Sequence, residues 1–381
     1  MTAEEKKYYP YFDYLRIILA SVVMFGHDHL IPWAYSAGLA VDVFFALSGW
    51  LIGNILIRTE GKDLPKFYFN RAMRIWVPYY IALFFILAAS LMKDPINLKW
   101  FEFVTYKLTW VYNIFGPPQL KDFVFCMPLD GTGNHFWSVN AEEQFYLLAP
   151  LLLVAFANYG RQIKTWILII IALWFMGIYA SISFGVLSAI TNNIYPEFHT
   201  KKLFRCFLFI VLLGASAAFC YTTDYKLISP LFSISTVLLL AVKRPKHRIG
   251  SFLGGISYPL YLNHWIGVFF FNFFLEPFGL RESWVRNFLS ALMNYGIASF
   301  LYWFIERKIL EMRGYLYTVR RGIGLTVLAY TLILTGLSFG IFLTMATNII
   351  IISVIFAATA FFIMTYIIKH CSAGRMVYTL G

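Results

Sequence analysis

Eleven apolar runs follow one another along the chain, and each is close to the length of a membrane-spanning helix. A bilayer core about 30 Å thick needs roughly 20 residues of α-helix. The runs are residues 14–31, 38–57, 77–92, 137–157, 165–184, 204–221, 227–242, 252–274, 286–305, 322–345 and 347–368. This pattern predicts an all-α, polytopic transmembrane helical bundle.

The composition excludes most soluble classes of protein. The chain is 60% hydrophobic and only 13% charged, whereas a soluble domain has roughly 25% charged residues. This composition therefore excludes intrinsic disorder, a secreted disulfide scaffold and an ordinary cytosolic enzyme. The four cysteines have no metal-ligand spacing, so neither disulfides nor a metal site is predicted.

The net charge of +12 does not indicate a nucleic-acid partner. The basic residues lie in short segments between apolar runs, as expected of a chain that contacts membrane lipids. With eleven spans, the basic segments 58–76 and 306–321 would face opposite sides of the membrane. A further crossing at 98–116 removes the conflict and gives twelve spans, although this segment could instead lie flat on the membrane surface. Both termini and 22 of the 31 Lys and Arg residues are then cytoplasmic.

Ionisable residues inside the first apolar run are candidates for function, because a charge in hydrocarbon costs several kcal/mol by most scales. Arg16 and His27 are eleven residues apart, which places them within about 20° on one helical face and about 16 Å apart along the axis. A histidine so placed can act as a general base. The alternative is a snorkelling arginine and a buried structural histidine.

Two other clusters lie beside later runs. Arg71 and Arg74 stand three residues apart in KFYFNRAMRIWVPYY, where planar guanidinium groups would suit the phosphates of a nucleotide-like donor such as coenzyme A. Glu142 and Glu143 are adjacent in HFWSVNAEEQFYLLAP, so only one of them can point into a pocket. The alternatives are cytoplasmic anchoring for the arginines and a solvated interfacial pair for the glutamates.

A polar stripe marks GGISYPLYLNHW, in which Tyr258, Tyr261 and His264 recur every three residues. A structural aromatic belt is the competing interpretation of this stripe. No serine lies in a recognisable nucleophile elbow, and Ser48 in ALSGW is interpreted as part of a helix-packing Ser-Gly pair. Direct reaction between two substrates is therefore favoured over a covalent enzyme intermediate.

In this order, five segments resemble the acyltransferase 3 family of integral membrane acyltransferases. They are YFDYLRIILASVVMFGH, VDVFFALSGWLI, NRAMRIWVPYY, WSVNAEEQFYL and LGGISYPLYLNHW. The resemblance implies a ten-span acyltransferase domain over residues 1–306 and a C-terminal extension over 307–381 with two further transmembrane helices. It also implies an enzyme of the bacterial inner membrane.

The resemblance further implies transfer of an acetyl or other short acyl group from acetyl-CoA, or another acyl-CoA, to a carbohydrate hydroxyl. The acceptor would be a lipid-linked or cell-envelope glycan such as lipopolysaccharide, exopolysaccharide or peptidoglycan, and no metal is needed. The positions that match the family's motifs imply catalytic roles for His27, Arg16, Glu142 and Glu143. They imply donor-binding roles for Arg71, Arg74, Tyr258 and His264. The oligomeric state stays open.

This sequence departs from the usual family pattern at three positions. Asn140 stands where the family usually has Ser, Asn263 replaces the common Trp before the histidine, and Asp28 follows His27 directly. A carboxylate that reached the imidazole would raise its basicity, but adjacent residues of a helix point too far apart for an easy contact.

Two other classes of function compete with the enzyme. A twelve-span proton-coupled transporter, or an exporter of a modified glycan, would also need intramembrane Arg, His and Asp residues. The two halves of the chain show no internal repeat, however, and the ionisable residues concentrate in the first half and near 258–264. A non-catalytic membrane scaffold explains the five ordered motifs least well.

Overall fold

The computed structural model describes residues 8–116, 128–129, 131–222 and 225–378. Throughout these ranges the regular secondary structure is helical, without a strand. The predicted all-α architecture is therefore confirmed. Cys126 and most of the predicted cytoplasmic segment 117–136 lie outside the described residues.

Seventeen α-helices form within the described ranges, besides short 3₁₀ and π turns. The first nine are α1 (Pro10–His27), α2 (Ser36–Leu56), α3 (Leu64–Lys93), α4 (Leu98–Leu108), α5 (Tyr112–Phe115), α6 (Phe136–Pro150), α7 (Ala157–Gly160), α8 (Ile163–Phe175) and α9 (Ala180–Ile194). The others are α10 (Lys202–Ala218), α11 (Ser229–Leu240), α12 (Arg248–Asn263), α13 (Trp265–Leu275), α14 (Trp284–Leu301), α15 (Arg307–Leu316), α16 (Val319–Thr344) and α17 (Ile350–Tyr378).

By length and composition, five helical stretches among the described residues can each cross a membrane. They are Ser36–Leu56, Gly61–Lys93, Trp284–Leu316, Val319–Thr344 and Ile350–Cys371. Three shorter apolar helices accompany them, namely Ile163–Phe175, Ser229–Leu240 and Trp265–Phe278. The chain is thus an integral membrane protein with a polytopic helical bundle, while the number of spans and the side occupied by each terminus stay predictions.

Two compact units make up the chain. Unit 1 contains Met1–Ile55 and Gln162–Arg307, and unit 2 contains Leu56–Arg161 and Lys308–Gly381. The boundary predicted at residue 306 is a division of the sequence and stays a prediction. Each unit is built from two stretches that are separate in the sequence.

Glycines bring two helices of unit 1 into close contact. A Cβ added to Gly49 of α2 would lie 2.0 Å from the carbonyl oxygen of Ile182 in α9. A Cβ added to Gly185 of α9 would lie 2.3 Å from the carbonyl oxygen of Ala46 in α2. Small residues at such crossings allow membrane helices to approach backbone to backbone. The Ser-Gly pair at 48–49 therefore includes a packing glycine, as its sequence indicated.

In unit 2, the last two long helices belong to the packing core. Gly322 of α16 lies against α3, where an added Cβ would stand 2.5 Å from the carbonyl oxygen of Pro65. Tyr330 of α16 is 3% exposed, and its hydroxyl donates a 2.8 Å hydrogen bond to the carbonyl oxygen of Leu147 in α6. The C-terminal extension thus packs directly onto helices that carry predicted site residues.

Three predicted spans are interrupted. A single helix over 98–116 does not form, since Trp110 adopts a positive φ of 56° and separates α4 from α5. The run 165–184 is broken between α8 and α9 by Gly177 and Tyr179, whose φ angles are 67° and 51°. The run 252–274 is broken at His264, between α12 and α13. Left-handed backbone ends the helix at the first two breaks, and apolar composition alone does not reveal where it occurs.

The crossing of α2 and α9 can be tested with Gly49→Ala. The new methyl group has no room beside the Ile182 carbonyl, so we expect the free energy of unfolding to fall by about 1–3 kcal/mol. Gly296→Ala on α14 is the matched control because a Cβ there meets nothing within 4 Å. Thermal unfolding in detergent, followed by tryptophan fluorescence, measures both variants. Equal midpoints for Gly49→Ala and the wild type would contradict the close crossing.

Candidate functional site

The first candidate cluster surrounds the end of α1 in unit 1. His27 is the last residue of α1, and the helix is closed by hydrogen bonds from the Asp28 amide to the carbonyl oxygens of Met24 and Gly26. The His27 side chain is exposed in this chain. A histidine at an exposed helix end can exchange a proton with a bound molecule.

His264 covers one face of His27. The two imidazole rings are stacked with centroids 5.4 Å apart and planes inclined by 12°. His264 is 5% exposed, and its Nδ1 lies 2.8 Å from the carbonyl oxygen of Tyr261. A carbonyl oxygen only accepts, so Nδ1 of His264 carries a proton. The sequence placed these histidines in separate clusters, and the fold joins them as a stacked histidine pair.

The break between α12 and α13 has its own partner on α14. Asn294 donates through Nδ2 to the carbonyl oxygen of His264 at 2.5 Å. Its Oδ1 accepts a 2.8 Å hydrogen bond from the Gly267 amide. One side chain therefore binds the carbonyl of the break residue and an amide in the first turn of α13, and this fixes the backbone of His264.

Asp28 does not contact the neighbouring imidazole but forms an ion pair with Arg286. Arg286 Nη1 lies 3.2 Å from Asp28 Oδ1, and the two side chains are only 13% and 6% exposed. Arg286 also donates from Nε to the carbonyl oxygen of Arg281 at 2.9 Å. The carboxylate beside His27 is thus neutralised by a guanidinium that is itself held on a second side.

About three turns before His27 on α1, Arg16 is paired within its own helix. Its Nη1 lies 3.3 Å from Asp13 Oδ1, and Asp13 is 6% exposed. The hydroxyl of Tyr8 also donates to Asp13. Burial raises the pKa of Tyr8, and the hydrogen bond to Asp13 raises it further, so this hydroxyl stays a donor. The unbroken α1 keeps Arg16 about 16 Å from His27 along the helix axis.

Tyr258 lies on α12 and is half-buried, one turn before buried Tyr261. The Tyr261 ring is 6.4 Å from the His264 ring and 6.1 Å from the Phe44 ring, centroid to centroid. The stripe of residues spaced by three therefore runs into the stacked histidine pair, but Tyr261 also packs as an aromatic core residue.

Unit 2 holds the other predicted residues. Arg71 is half-buried and Arg74 is exposed on α3. Besides Arg74, Arg71 interacts electrostatically with Tyr146, Arg313 and Glu143. The arginine motif thus gains a third guanidinium from α15, and the clustered positive charge suits an anionic group.

Only one residue of the glutamate pair is buried. Glu143 is 3% exposed and accepts a 3.0 Å hydrogen bond at Oε1 from Trp76 Nε1. Its Oε2 has no hydrogen-bond partner among the described residues. Glu142 is half-exposed. The 100° turn between adjacent helical residues produces this difference.

The helix that presents Glu143 is held by two buried amides one turn apart. Asn140 Oδ1 accepts from the Tyr112 amide at 3.1 Å, and its Nδ2 donates to the Tyr79 hydroxyl at 3.0 Å. Gln144 Nε2 donates to the Trp110 carbonyl oxygen at 2.7 Å. Asn140, one of the departures from the family pattern, therefore locks α6 to α3 and α5.

The structure brings together some predicted residues and separates others. In unit 1, His27 and His264 stack, whereas Arg16 lies eleven residues before His27 on α1. In unit 2, Arg71 and Glu143 interact, whereas Arg74 is exposed. Sequence reasoning missed four supporting residues, namely Asp13, Arg286, Asn294 and Arg313. An acid three residues before Arg16 was the one local signal available, because the other three partners are distant in sequence.

Comparison with known proteins agrees with the motifs. Residues 9–305 match the acyltransferase domain family. An O-acetyltransferase OatA of Staphylococcus aureus is 26% identical over 355 residues, which cover 80% of this chain and 57% of that protein. A peptidoglycan O-acetyltransferase OatA of Listeria monocytogenes is 29% identical over 181 residues, which cover 45% of this chain and 28% of that protein.

The chain spans less than two thirds of the length of these relatives. No solved structure matches it. The family match nevertheless covers well over half of the sequence and includes all five motifs. The order and spacing of those motifs, together with this match, establish that the chain belongs to the acyltransferase 3 family.

Proposed function

We propose that this chain is a membrane O-acetyltransferase that transfers an acetyl, or another short acyl, group to a hydroxyl of a cell-envelope carbohydrate. The observation that carries the proposal is the stacked histidine pair, in which exposed His27 lies against buried His264. Family membership and the O-acetyltransferase names of the relatives support the reaction class. The peptidoglycan named for the Listeria relative is the first acceptor to test.

In the proposed reaction, His27 accepts the proton of the acceptor hydroxyl while the hydroxyl oxygen attacks the carbonyl carbon of the acyl thioester. The new C–O bond converts the carbonyl oxygen into an oxyanion, which hydrogen-bond donors stabilise. The C–S bond then breaks, and the departing thiolate takes the proton from the His27 imidazolium. The products are an acyl ester of the carbohydrate and a free thiol.

The proposed donor is an acyl-CoA that enters from the cytoplasm. Arg71, with Arg74 and Arg313 nearby, provides guanidinium groups suited to its phosphates. Arg16 lies too far along α1 from His27 to stabilise the same carbonyl. Its proposed role is therefore with a part of the donor remote from the thioester. Glu143 is the glutamate proposed to position a polar group, because it is the buried one of the two.

The localisation proposed is the bacterial inner membrane with both termini cytoplasmic. The distribution of Lys and Arg between the apolar runs supports this orientation. The acceptor would then be approached from the far side of the membrane, as a lipid-linked or growing glycan. No metal is required by the proposed steps.

Acylation of surface glycans tests the proposed reaction. We expect mass spectrometry of peptidoglycan and other envelope glycans to show one added acyl mass in cells that carry the wild-type chain. His27→Ala removes the general base, so transfer should fall by about 10²–10⁴-fold. His29→Ala is the matched control, since His29 is an exposed histidine two residues away.

Each outcome is interpreted at equal membrane abundance, measured by blot. Loss of the acyl mass with His27→Ala and its retention with His29→Ala support the proposal. Full acylation with His27→Ala would show that His27 is not the base. An acyl mass that never depends on the chain would instead favour the transporter or exporter interpretation.

The KM for acetyl-CoA tests the proposed donor site. Arg71→Gln removes a half-buried guanidinium, and the loss of a charge-assisted contact costs about 1.5–3 kcal/mol, so KM for acetyl-CoA should rise about 10- to 100-fold. Arg58→Gln is the control because Arg58 is exposed. Initial rates in nanodiscs at varied acetyl-CoA measure the effect. An unchanged KM for Arg71→Gln would contradict the proposed donor site.

A further inference from the structure

In unit 1, helix α14 binds the backbone of His264 and the side chain of Asp28, the residue after His27. Asn294 and Arg286 lie on α14, eight residues apart, which is about 12 Å along the helix axis. Neither residue belongs to the motifs that identified the family. Their contacts nevertheless converge on His264 and on the residue after His27.

Asn294 binds backbone groups at the break and in the first turn of α13. It binds the His264 carbonyl oxygen and the Gly267 amide, at 2.5 and 2.8 Å. Ser290, one turn earlier on α14, donates to the Gly267 carbonyl oxygen at 3.2 Å. With three hydrogen bonds to α14, the peptide units around the break have little freedom to move.

The same Asn294 side chain reaches α1. Its Nδ2 lies 3.7 Å from Sδ of Met24, which precedes His27 by about one helical turn. Asn294 is 1% exposed and Met24 is also 1% exposed. The amide therefore touches both the helix that ends in His27 and the backbone that carries His264.

Arg286 fixes the point at which α1 ends. Its guanidinium holds the Asp28 carboxylate and the backbone of the loop before α14. Asp28 is adjacent to His27, so rotation of the last turn of α1 would have to break this buried ion pair. The pair is formed between residues 258 positions apart in sequence.

We propose that Arg286 and Asn294 are positioning residues, which hold His27 and His264 in their stacked arrangement from a single helix. The inference rests on the proposed function of His27 as the base. Neither residue contacts the reacting atoms in this proposal. Their effect is to fix the orientation of the His27 ring, because a misplacement of 1 Å in a catalytic group can cost about 10²-fold in rate.

The kinetic consequence distinguishes positioning from substrate binding. Asn294→Asp keeps the size of the side chain but replaces the donor to the His264 carbonyl oxygen with an acceptor. Arg286→Gln removes the charge that holds Asp28. We expect each variant to lower kcat about 10- to 100-fold while KM for both substrates stays within about twofold of the wild type.

Conservative and control variants complete the series. Arg286→Lys retains a cation for Asp28 and should recover much of the kcat lost in Arg286→Gln. Arg281→Gln is the matched control, because Arg281 forms an exposed ion pair with Glu276 at 3.1 Å, five residues before Arg286. Asn287→Ala controls for Asn294, since its side-chain oxygen has no hydrogen-bond partner among the described residues. Neither control should change kcat.

Chemical labelling gives a readout that needs no enzymatic activity. Diethyl pyrocarbonate, followed by mass spectrometry of the peptides, reports how fast each imidazole is modified in nanodiscs. In the wild type, exposed His27 should react and buried His264 should be protected. Asn294→Asp and Arg286→Gln should increase the labelling rate of His264 several-fold, whereas Arg281→Gln should leave it unchanged.

The two readouts separate failure of this inference from failure of the proposed function. If labelling changes as expected but the wild type shows no acyl transfer, the positioning stands and the function is wrong. If acyl transfer depends on His27 but neither variant changes kcat or labelling, the positioning is wrong. Where a variant loses thermal stability, two other results are used. They are the kcat of Arg286→Lys and the labelling of the protein that remains folded in detergent.

Discussion

The cost of burying an unpaired polar group determines where this chain can break a helix or place a charge. In an apolar surrounding, a lone amide, carbonyl or charge costs several kcal/mol, so a break persists only where a partner meets the exposed groups. The break at His264 meets Asn294, and the carboxylate of Asp28 meets Arg286. These two contacts come from α14, which makes one helix responsible for the geometry around both histidines.

Unit 2 follows the same rule with amides in place of ion pairs. Asn140 and Gln144 are one turn apart on α6, and their side chains satisfy backbone groups of the irregular segment around Trp110 and Tyr112. That segment is where a continuous helix over 98–116 is interrupted. Buried amides therefore compensate for the interruption and, by anchoring α6, also fix the position of Glu143.

Much of the helical architecture could be predicted, because about twenty consecutive apolar residues leave few alternatives to a membrane helix. The sequence also predicted which residues carry charge or imidazole inside the apolar runs. It could not predict the breaks at Gly177 and His264, since a left-handed residue or a missing helix bond depends on contacts elsewhere in the fold.

The residues that contact the candidate site residues were harder to predict than the candidate residues themselves. Arg16 and Asp13 are three residues apart, so helical spacing alone places them together. Asp28 and Arg286 are 258 residues apart, and only the packing of α14 brings them into contact. The stacking of His27 on His264 is equally non-local, although each histidine stood in a recognisable motif.

Pairing of Asp28 with Arg286 also bears on the chemistry proposed for His27. An unpaired carboxylate beside the imidazole would stabilise the imidazolium form, because opposite charges attract strongly where water is scarce. A base that bound its proton too firmly would return it slowly to the departing thiolate. Since Arg286 neutralises the carboxylate, Asp28 can fix the end of α1 without holding the proton that the proposed reaction must pass on. Because Arg286 of α14 pairs with Asp28, the departure from the family pattern at residue 28 is compatible with the proposed reaction.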